Sequence, residues 1–85
     1  MVTPESIKQS IELGMNTAHL SVSGDGAHFE ALVVSDEFTG KSRVQRHQRV
    51  YQTLGDRMRA EIHALSMKTL TPDEWAASTA GPDTL

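Results

Sequence analysis

The sequence contains no cysteine. This absence excludes disulfide bonds, a thiolate nucleophile and zinc sites built from cysteine. Any metal chemistry of the chain must therefore use carboxylates or histidines, and the histidines are His19, His28, His47 and His63. The lack of cysteine also fits a reducing compartment.

Long hydrophobic runs are missing as well. No apolar stretch approaches the roughly 20 residues that a membrane-spanning helix needs. The N-terminal region is polar and carries Glu5 and Lys8, so no signal peptide is apparent. We therefore expect a soluble cytoplasmic protein without membrane association.

Positive charge is in short supply, because the net charge is -3 at neutral pH. This balance weighs against a dedicated nucleic-acid binder, which usually carries a basic excess. A chain of 85 residues forms one domain and has no room for a deep closed pocket beside its core. The sequence has no phosphate-binding loop and no serine–histidine–acid arrangement, so we expect a non-enzymatic protein that acts through its surface.

The N-terminal region predicts a helix. Residues 3–5 (Thr-Pro-Glu) combine a capping residue, a proline suited to the first helical position and an acidic residue that complements the helix dipole. Ile7, Ile11 and Met15 then recur at helical spacing. Gly14 is expected to help end this helix.

A β-hairpin is predicted next. Residues 18–23 alternate between apolar and polar, as in a strand with one buried face. Residues 24–26 (Gly-Asp-Gly) have the composition of a turn, and residues 28–34 are rich in strand-forming residues. The short connection makes the pair antiparallel.

A long helix is predicted from Ser42 to about Met58, with Gly55 as a break near its end. Helical spacing places one set of residues on a common face, which we expect to be buried. These residues are Val44, His47, Val50, Tyr51, Leu54 and Met58.

Residues 62–70 predict a third strand, and residues 71–74 (Thr-Pro-Asp-Glu) form a capping box that begins a short helix carrying Trp75. The predicted domain spans residues 1–77, followed by a flexible C-terminal tail at residues 78–85. The element order is α-β-β-α-β-α, which predicts a single α+β domain. Its three-stranded sheet should be mixed, with the helices on one face.

Several segments together resemble the BolA family over residues 3–77. They are His28-Phe29, residues 33–40 (Val-Val-Ser-Asp-x-Phe-x-Gly), Arg46-His47 with Val50-Tyr51, Ile62 to Ser66 (Ile-His-Ala-Leu-Ser), and Thr71-Pro72 with Trp75. The resemblance implies a fold similar to a class II KH domain. It also implies links to transcriptional regulation and to the stress response.

The resemblance further implies a partnership with a monothiol glutaredoxin, with which a BolA protein shares a [2Fe–2S] cluster. The glutaredoxin supplies one thiolate and bound glutathione a second. His63 matches the histidine that the family supplies, and His28 lies in the region of its second ligand. The alternative for His63 is a structural histidine within a strand, and the alternative for His28 is an exposed residue at a strand end. Because the other ligands come from outside, no cluster is expected in the isolated chain.

Both histidines begin a predicted strand. If those strands are parallel neighbours, about 4.8 Å apart, the two imidazoles could reach one metal centre. We assign His47, Tyr51 and Trp75 to structure. His19 falls on the polar side of the first strand and is expected to be solvated.

Basic residues around the long helix support a competing function. Lys41, Arg43, Arg46, Arg49 and Arg57 predict a positive surface that could contact the partner protein or the phosphates of DNA. The alternative function is thus a KH-like, DNA-binding transcriptional regulator. Against it, the chain has no Gly-x-x-Gly loop, and Asp25 in the hairpin turn would repel phosphate. We expect the chain alone to be a monomer or a weak homodimer.

Overall fold

A computed structural model describes residues 2–60, 62 and 64–83. The elements are α1 (Pro4–Gly14), β1 (His19–Gly24), β2 (His28–Val34), a single 3-10 turn (Asp36–Phe38), α2 (Arg43–Leu54), α3 (Arg57–Ala60), β3 (Ala64–Leu70) and α4 (Pro72–Asp83). The predicted order is confirmed. The short helix α3 is added where the long helix was expected to break.

The three strands form one sheet in the order β1-β2-β3. Strands β1 and β2 are antiparallel, whereas β2 and β3 are parallel. The crossover between β2 and β3 contains α2 and α3, because a parallel connection needs a long segment to return to the same end of the sheet. The predicted mixed sheet is confirmed.

Helices α1 and α2 cover one face of the sheet. Alternate residues of β2 point toward them, because side chains along a strand alternate between the two faces. The core consists mainly of Ile7 and Ile11 from α1, Phe29, Ala31 and Val33 from β2, and Val50 and Leu54 from α2. Each fully buried large apolar side chain contributes roughly 1.5–3 kcal/mol, so this layer supplies most of the stabilisation.

Helix α1 begins as predicted. The Thr3 hydroxyl accepts a hydrogen bond from the Ser6 backbone amide at 3.1 Å, and the Ser6 hydroxyl accepts one from the Thr3 amide at 3.1 Å. Gly14, at the other end, lies close to α2. A Cβ atom there would stand 2.7 Å from the Cβ of Thr53, so the approach of the two helices requires glycine.

The prediction of which side chains of the long helix are buried is wrong at two positions. Val44 is 64% exposed and Tyr51 is 38% exposed, so the structural role predicted for Tyr51 is not a core role. The buried strip is centred on Val50 and Leu54. At 3.6 residues per turn, Val44 and Tyr51 lie about 100–120° around the helix from Val50, beyond the reach of the sheet.

Helix α4 starts with the predicted capping box, in which Glu74 accepts from the Thr71 amide at 2.9 Å and the Thr71 hydroxyl accepts from the Glu74 amide at 3.1 Å. The Trp75 indole stacks on the His19 ring with centroids 4.5 Å apart. Trp75 therefore has a partner, and the prediction that His19 is solvated is wrong, since its ring is half-buried against the indole.

The extent of α4 exceeds the short helix that the sequence predicts, because it continues to Asp83. The domain limits, residues 1–77 with a flexible tail at 78–85, stay a prediction. Within the described residues, no helix combines the length and the apolar character required to cross a membrane.

Candidate functional site

The turn between β1 and β2 positions His28. One carboxylate oxygen of Asp25 accepts hydrogen bonds from the backbone amides of Ala27, at 3.0 Å, and His28, at 2.9 Å. These bonds, the one to His28 first, lower the pKa of the Asp25 carboxyl below its ordinary value. Asp25 therefore remains ionised and holds the hairpin turn in one shape, because an aspartate that binds the amides following it fixes the local backbone.

The parallel pairing of β2 and β3 decides where the predicted ligands lie. His28 is exposed at the start of β2, and its register partner is Ala64, the first residue of β3. Ala64 directly follows His63 in the sequence. His63 itself lies outside the described residues, so its role as a ligand stays a prediction. The parallel pairing on which the shared metal site was made conditional is present, so β2 and β3 begin at the same end of the sheet.

An open depression lies beside His28. Its volume is about 520 Å³, and it is lined by Gly24, Asp25, His28, Phe29, Glu30, Ala64 and Ser66. The hairpin turn forms one side and the start of β3 the other. We define this region as the strand-start site. A group bound by a partner protein could approach the His28 imidazole here without displacing the core.

Arg46 does not point freely into solvent. Its guanidinium forms a two-pronged ion pair with Glu74, at 2.6 and 3.2 Å, and donates to the Thr69 carbonyl at 3.1 Å. Only 13% of the Arg46 side chain is exposed. The hydrogen bond from Arg46, helped by the Thr71 amide, lowers the pKa of Glu74 to about 2. Arg46 thus ties α2 to β3 and α4.

Arg49 and Arg57 are also held within the molecule. Arg49 donates to the Glu37 carboxylate at 3.0 Å and to the Gly14 carbonyl at 2.9 Å. Arg57 lies on α3, beyond the break, and donates to the Ser6 carbonyl at 3.0 Å. The three arginines of the predicted positive surface are therefore bound to three different parts of the molecule. A binding role for these arginines stays a prediction, and a partner would have to compete with the internal bonds.

Lys41 and Arg43 are different, because both are exposed and neither forms an ion pair with any described residue. Together with Lys68 they border a groove of about 650 Å³ between the start of α2 and the edge of β3. Half-buried His47 lies in its wall. Burial, and then the charge of Arg43, lowers the pKa of His47, in agreement with its predicted partly buried position.

Two residues of this region, Lys68 and Glu74, were not predicted from the sequence as site residues. Lys68 falls on the exposed side of the alternation in residues 62–70, so strand periodicity could have identified it. Glu74 was recognised only as part of a capping box. Its ion pair with Arg46 joins residues 28 positions apart, a distance over which sequence spacing carries no information.

This chain is similar in sequence to several known proteins. A family model described as BolA-like protein matches residues 2–74. The DNA-binding transcriptional regulator BolA of Haemophilus influenzae is 44% identical over 64 residues, which cover 73% of this chain but only 62% of that protein. The acid stress protein IbaG of Escherichia coli K12 is 43% identical over 63 residues, covering 73% of this chain and 75% of that protein.

The fold also matches solved structures. A BolA protein homologue from Coxiella burnetii superimposes with a TM-score of 0.81 and 49% sequence identity. The match covers 89% of this chain and 99% of that one. The α+β architecture described above is therefore shared with a protein whose whole length is matched.

Proposed function

Because this chain belongs to the BolA family, we propose that it is a non-catalytic adaptor that binds a monothiol glutaredoxin and shares a [2Fe–2S] cluster with it. In this proposal His63 is the main ligand from this chain and His28 is the second. The cluster is the cargo of the pair. Its remaining ligands are the glutaredoxin cysteine and glutathione.

One observation carries the proposal. The exposed His28 lies in register with Ala64, next to which His63 stands in the sequence. Neighbouring strands are about 4.8 Å apart, so two residues at the starts of β2 and β3 are close enough to face one cluster. Imidazole nitrogen is a suitable ligand for iron, and its replacement of thiolate raises the reduction potential of a [2Fe–2S] cluster.

The surrounding residues suit a shared site. Asp25 directs its carboxylate to the backbone of its own turn and keeps the start of β2 rigid, so little ordering is required when a partner docks. The strand-start site is open, which leaves space for ligands carried by another protein. Transfer of the cluster would proceed by exchange of its ligands. A histidine must be neutral to bind a metal, so protonation of the imidazole would release it.

We predict that titration of a cluster-loaded monothiol glutaredoxin with this chain changes its visible absorption and circular dichroism. The His63→Ala variant should abolish the change, and His28→Ala should weaken it. The matched control is His19→Phe, which removes an imidazole but retains a ring against Trp75. His19 pairs with Val34, six residues along β2 from His28, or roughly 20 Å away.

The ligand assignment is wrong if the folded His63→Ala variant produces the wild-type spectral change. If calorimetry detects binding of the glutaredoxin but the spectrum does not change, the partner assignment stands and the proposal of a shared cluster is wrong. These two results separate the docking step from the ligation step.

DNA binding is a second candidate, and two observations favour it. The H. influenzae relative is named a DNA-binding transcriptional regulator. Lys41 and Arg43 are exposed at the start of α2 without an ion pair to any described residue. Because Arg46 and Arg49 are held by internal carboxylates, we assign the phosphate contacts of this candidate to Lys41 and Arg43.

The DNA candidate predicts a steep decrease of duplex affinity with salt. Each of Lys41→Gln and Arg43→Gln should weaken binding and reduce the slope of log K against log salt by about 1, as expected for a lost phosphate contact. Lys8→Gln, at an exposed position of α1, is the control, and His63→Ala should have no effect. An affinity that is unchanged by Lys41→Gln and Arg43→Gln would exclude this surface.

A further inference from the structure

Strand β3 lies at the edge of the sheet, with β2 on one side only. The Leu70 carbonyl accepts from the Ser35 amide at 2.9 Å, on the side of β2. Backbone groups of successive residues in a strand point to opposite sides, so those of Met67 and Thr69 point outward. The Thr69 carbonyl confirms this direction, because it accepts from Arg46 of α2. An edge of this kind is able to pair with another extended chain.

Only some of the outward backbone groups of β3 form hydrogen bonds. Arg46 occupies the Thr69 carbonyl, whereas the Met67 backbone amide and carbonyl and the Thr69 amide form no hydrogen bond to another described residue outside the sheet. The groove passes along this part of the strand and is lined by Met67, Lys68, Thr69 and Leu70 from β3. The open edge therefore offers both donors and an acceptor at the floor of a groove.

The walls of the groove are positively charged. Lys68 lies on one side, and Lys41 and Arg43 lie on the other, at the start of α2. All three are exposed, and none forms an ion pair with a described residue. The carboxylate that lines the groove, Glu74, is already neutralised by Arg46. This chain is acidic overall, so the local excess of positive charge is a property of this groove.

We propose that the groove binds an extended, acidic peptide segment of a partner protein, which pairs with β3 as a fourth strand. The peptide amides would donate to Met67, and its carbonyls would accept from Met67 and Thr69. Its side chains alternate between two faces, so acidic residues could reach Lys68 on one side and Lys41 or Arg43 on the other. Arg46 would end the pairing at Thr69.

Charge and hydrogen bonding favour this occupant over two others. A second copy of the chain would bring its own Lys68 and Arg43 against those of the first, and like charges placed together oppose association. A DNA backbone offers phosphate acceptors but no donors for the Met67 carbonyl. An acidic peptide satisfies the cations, the open donors and the open acceptor together.

This inference does not rest on the proposed cluster sharing. The strand-start site is at Ala64, at the beginning of β3, and the groove follows Met67 to Leu70 at the other end of the strand. One partner could contact both surfaces, or two partners could bind separately. Failure at one surface therefore leaves the other proposal intact.

The test uses a short peptide of alternating glutamate and valine, added to isotope-labelled chain and followed by NMR. The largest shifts should fall on the amides of residues 65–69. Hydrogen exchange of the Met67 and Thr69 amides should slow by roughly tenfold or more, since a bonded amide exchanges only when the structure opens. A peptide of alternating lysine and valine should not bind.

The backbone and the charges are tested separately. A glutamate–valine peptide methylated on alternate backbone nitrogens should lose most of its affinity, because it cannot donate to the strand edge. The double variant Arg43→Glu and Lys68→Glu should weaken binding by roughly tenfold, or about 1.4 kcal/mol. Lys8→Glu, exposed on α1, is the matched control and should bind normally.

Several results would overturn the proposal. Equal binding of the methylated peptide would show attraction by charge without strand pairing. Displacement of the acidic peptide by duplex DNA, with shifts at the same residues, would assign the groove to nucleic acid. Protection of the Met67 and Thr69 amides without peptide, together with dimers in sedimentation, would assign the edge to a second copy of the chain.

Discussion

Arg46 and Glu74 form an ion pair that connects three elements. The guanidinium contacts the Glu74 carboxylate at the start of α4 and the Thr69 carbonyl at the end of β3. Glu74 also accepts from the Thr71 amide and so helps cap α4. A two-pronged arginine–carboxylate pair fixes relative orientation as well as distance. This pair therefore sets the position of α4 against the long helix.

The pKa of Glu74, lowered from 4.5 to about 2 by Arg46 first and Thr71 second, makes a prediction about pH. A carboxyl whose pKa is lower in the folded state stabilises the protein above the unfolded pKa, and this contribution is lost as the pH falls through the folded pKa. We therefore expect Glu74→Gln to be less stable than the wild type at neutral pH. The difference should shrink between about pH 4.5 and pH 2.

Urea denaturation followed by Trp75 fluorescence at several pH values measures this difference. Glutamine retains the oxygen that accepts from Thr71, so the variant tests the charge more than the cap. Asp73→Asn, one residue away and without an ion pair to a described residue, is the control. A difference between wild type and Glu74→Gln that stays constant from pH 7 to pH 2 would contradict the ion-pair explanation.

At the scale of elements, the break between α2 and α3 determines how the chain returns to the sheet. Gly55 has a φ of 56°, a backbone conformation that other residues rarely adopt. After the break, α3 directs Arg57 to the Ser6 carbonyl of α1, and the Ile62 amide donates to the Arg57 carbonyl at 2.9 Å. Ile62 is then buried in the core immediately before β3.

Gly55→Ala should lower the free energy of unfolding by about 1–3 kcal/mol, the usual cost of a residue held in a sparsely populated backbone conformation. A Cβ at this position meets no atom within 4 Å, so the cost arises from the backbone and not from a clash. Chemical denaturation measures the change. Gln52→Ala, at an exposed position of α2, is the control and should stay within about 0.5 kcal/mol. A similar small effect of Gly55→Ala would show that the break is not strained.

At the scale of the whole molecule, strand β3 connects two surfaces. Its beginning borders the strand-start site with His28, and its second half forms the floor of the groove beside α2. Arg46 ties α2 to β3 and α4, Arg49 ties α2 to the end of α1 and to the 3-10 turn, and Arg57 ties α3 to α1. The folded chain therefore uses three of its arginines internally and leaves Lys41, Arg43 and Lys68 exposed.

The sequence by itself determined the order of the helices and strands, apart from the short helix α3. Caps at Thr3 and Thr71, the turn at residues 24–26 and the break at Gly55 act within a few residues, so they could be recognised without knowledge of the fold. The alternation of apolar and polar residues over residues 18–23 likewise predicted β1. The family could also be identified, because its motifs keep their order along the chain.

The tertiary structure alone decided which residues meet. Arg57 and Ser6 are 51 positions apart, and no local rule predicts that the arginine binds there instead of facing solvent. The exposure of Tyr51 depends on how far the sheet extends beside α2. The nearness of His28 to Ala64 depends on the pairing of β2 with β3. Such contacts arise from packing between distant segments, whereas sequence patterns report only on neighbours along the chain.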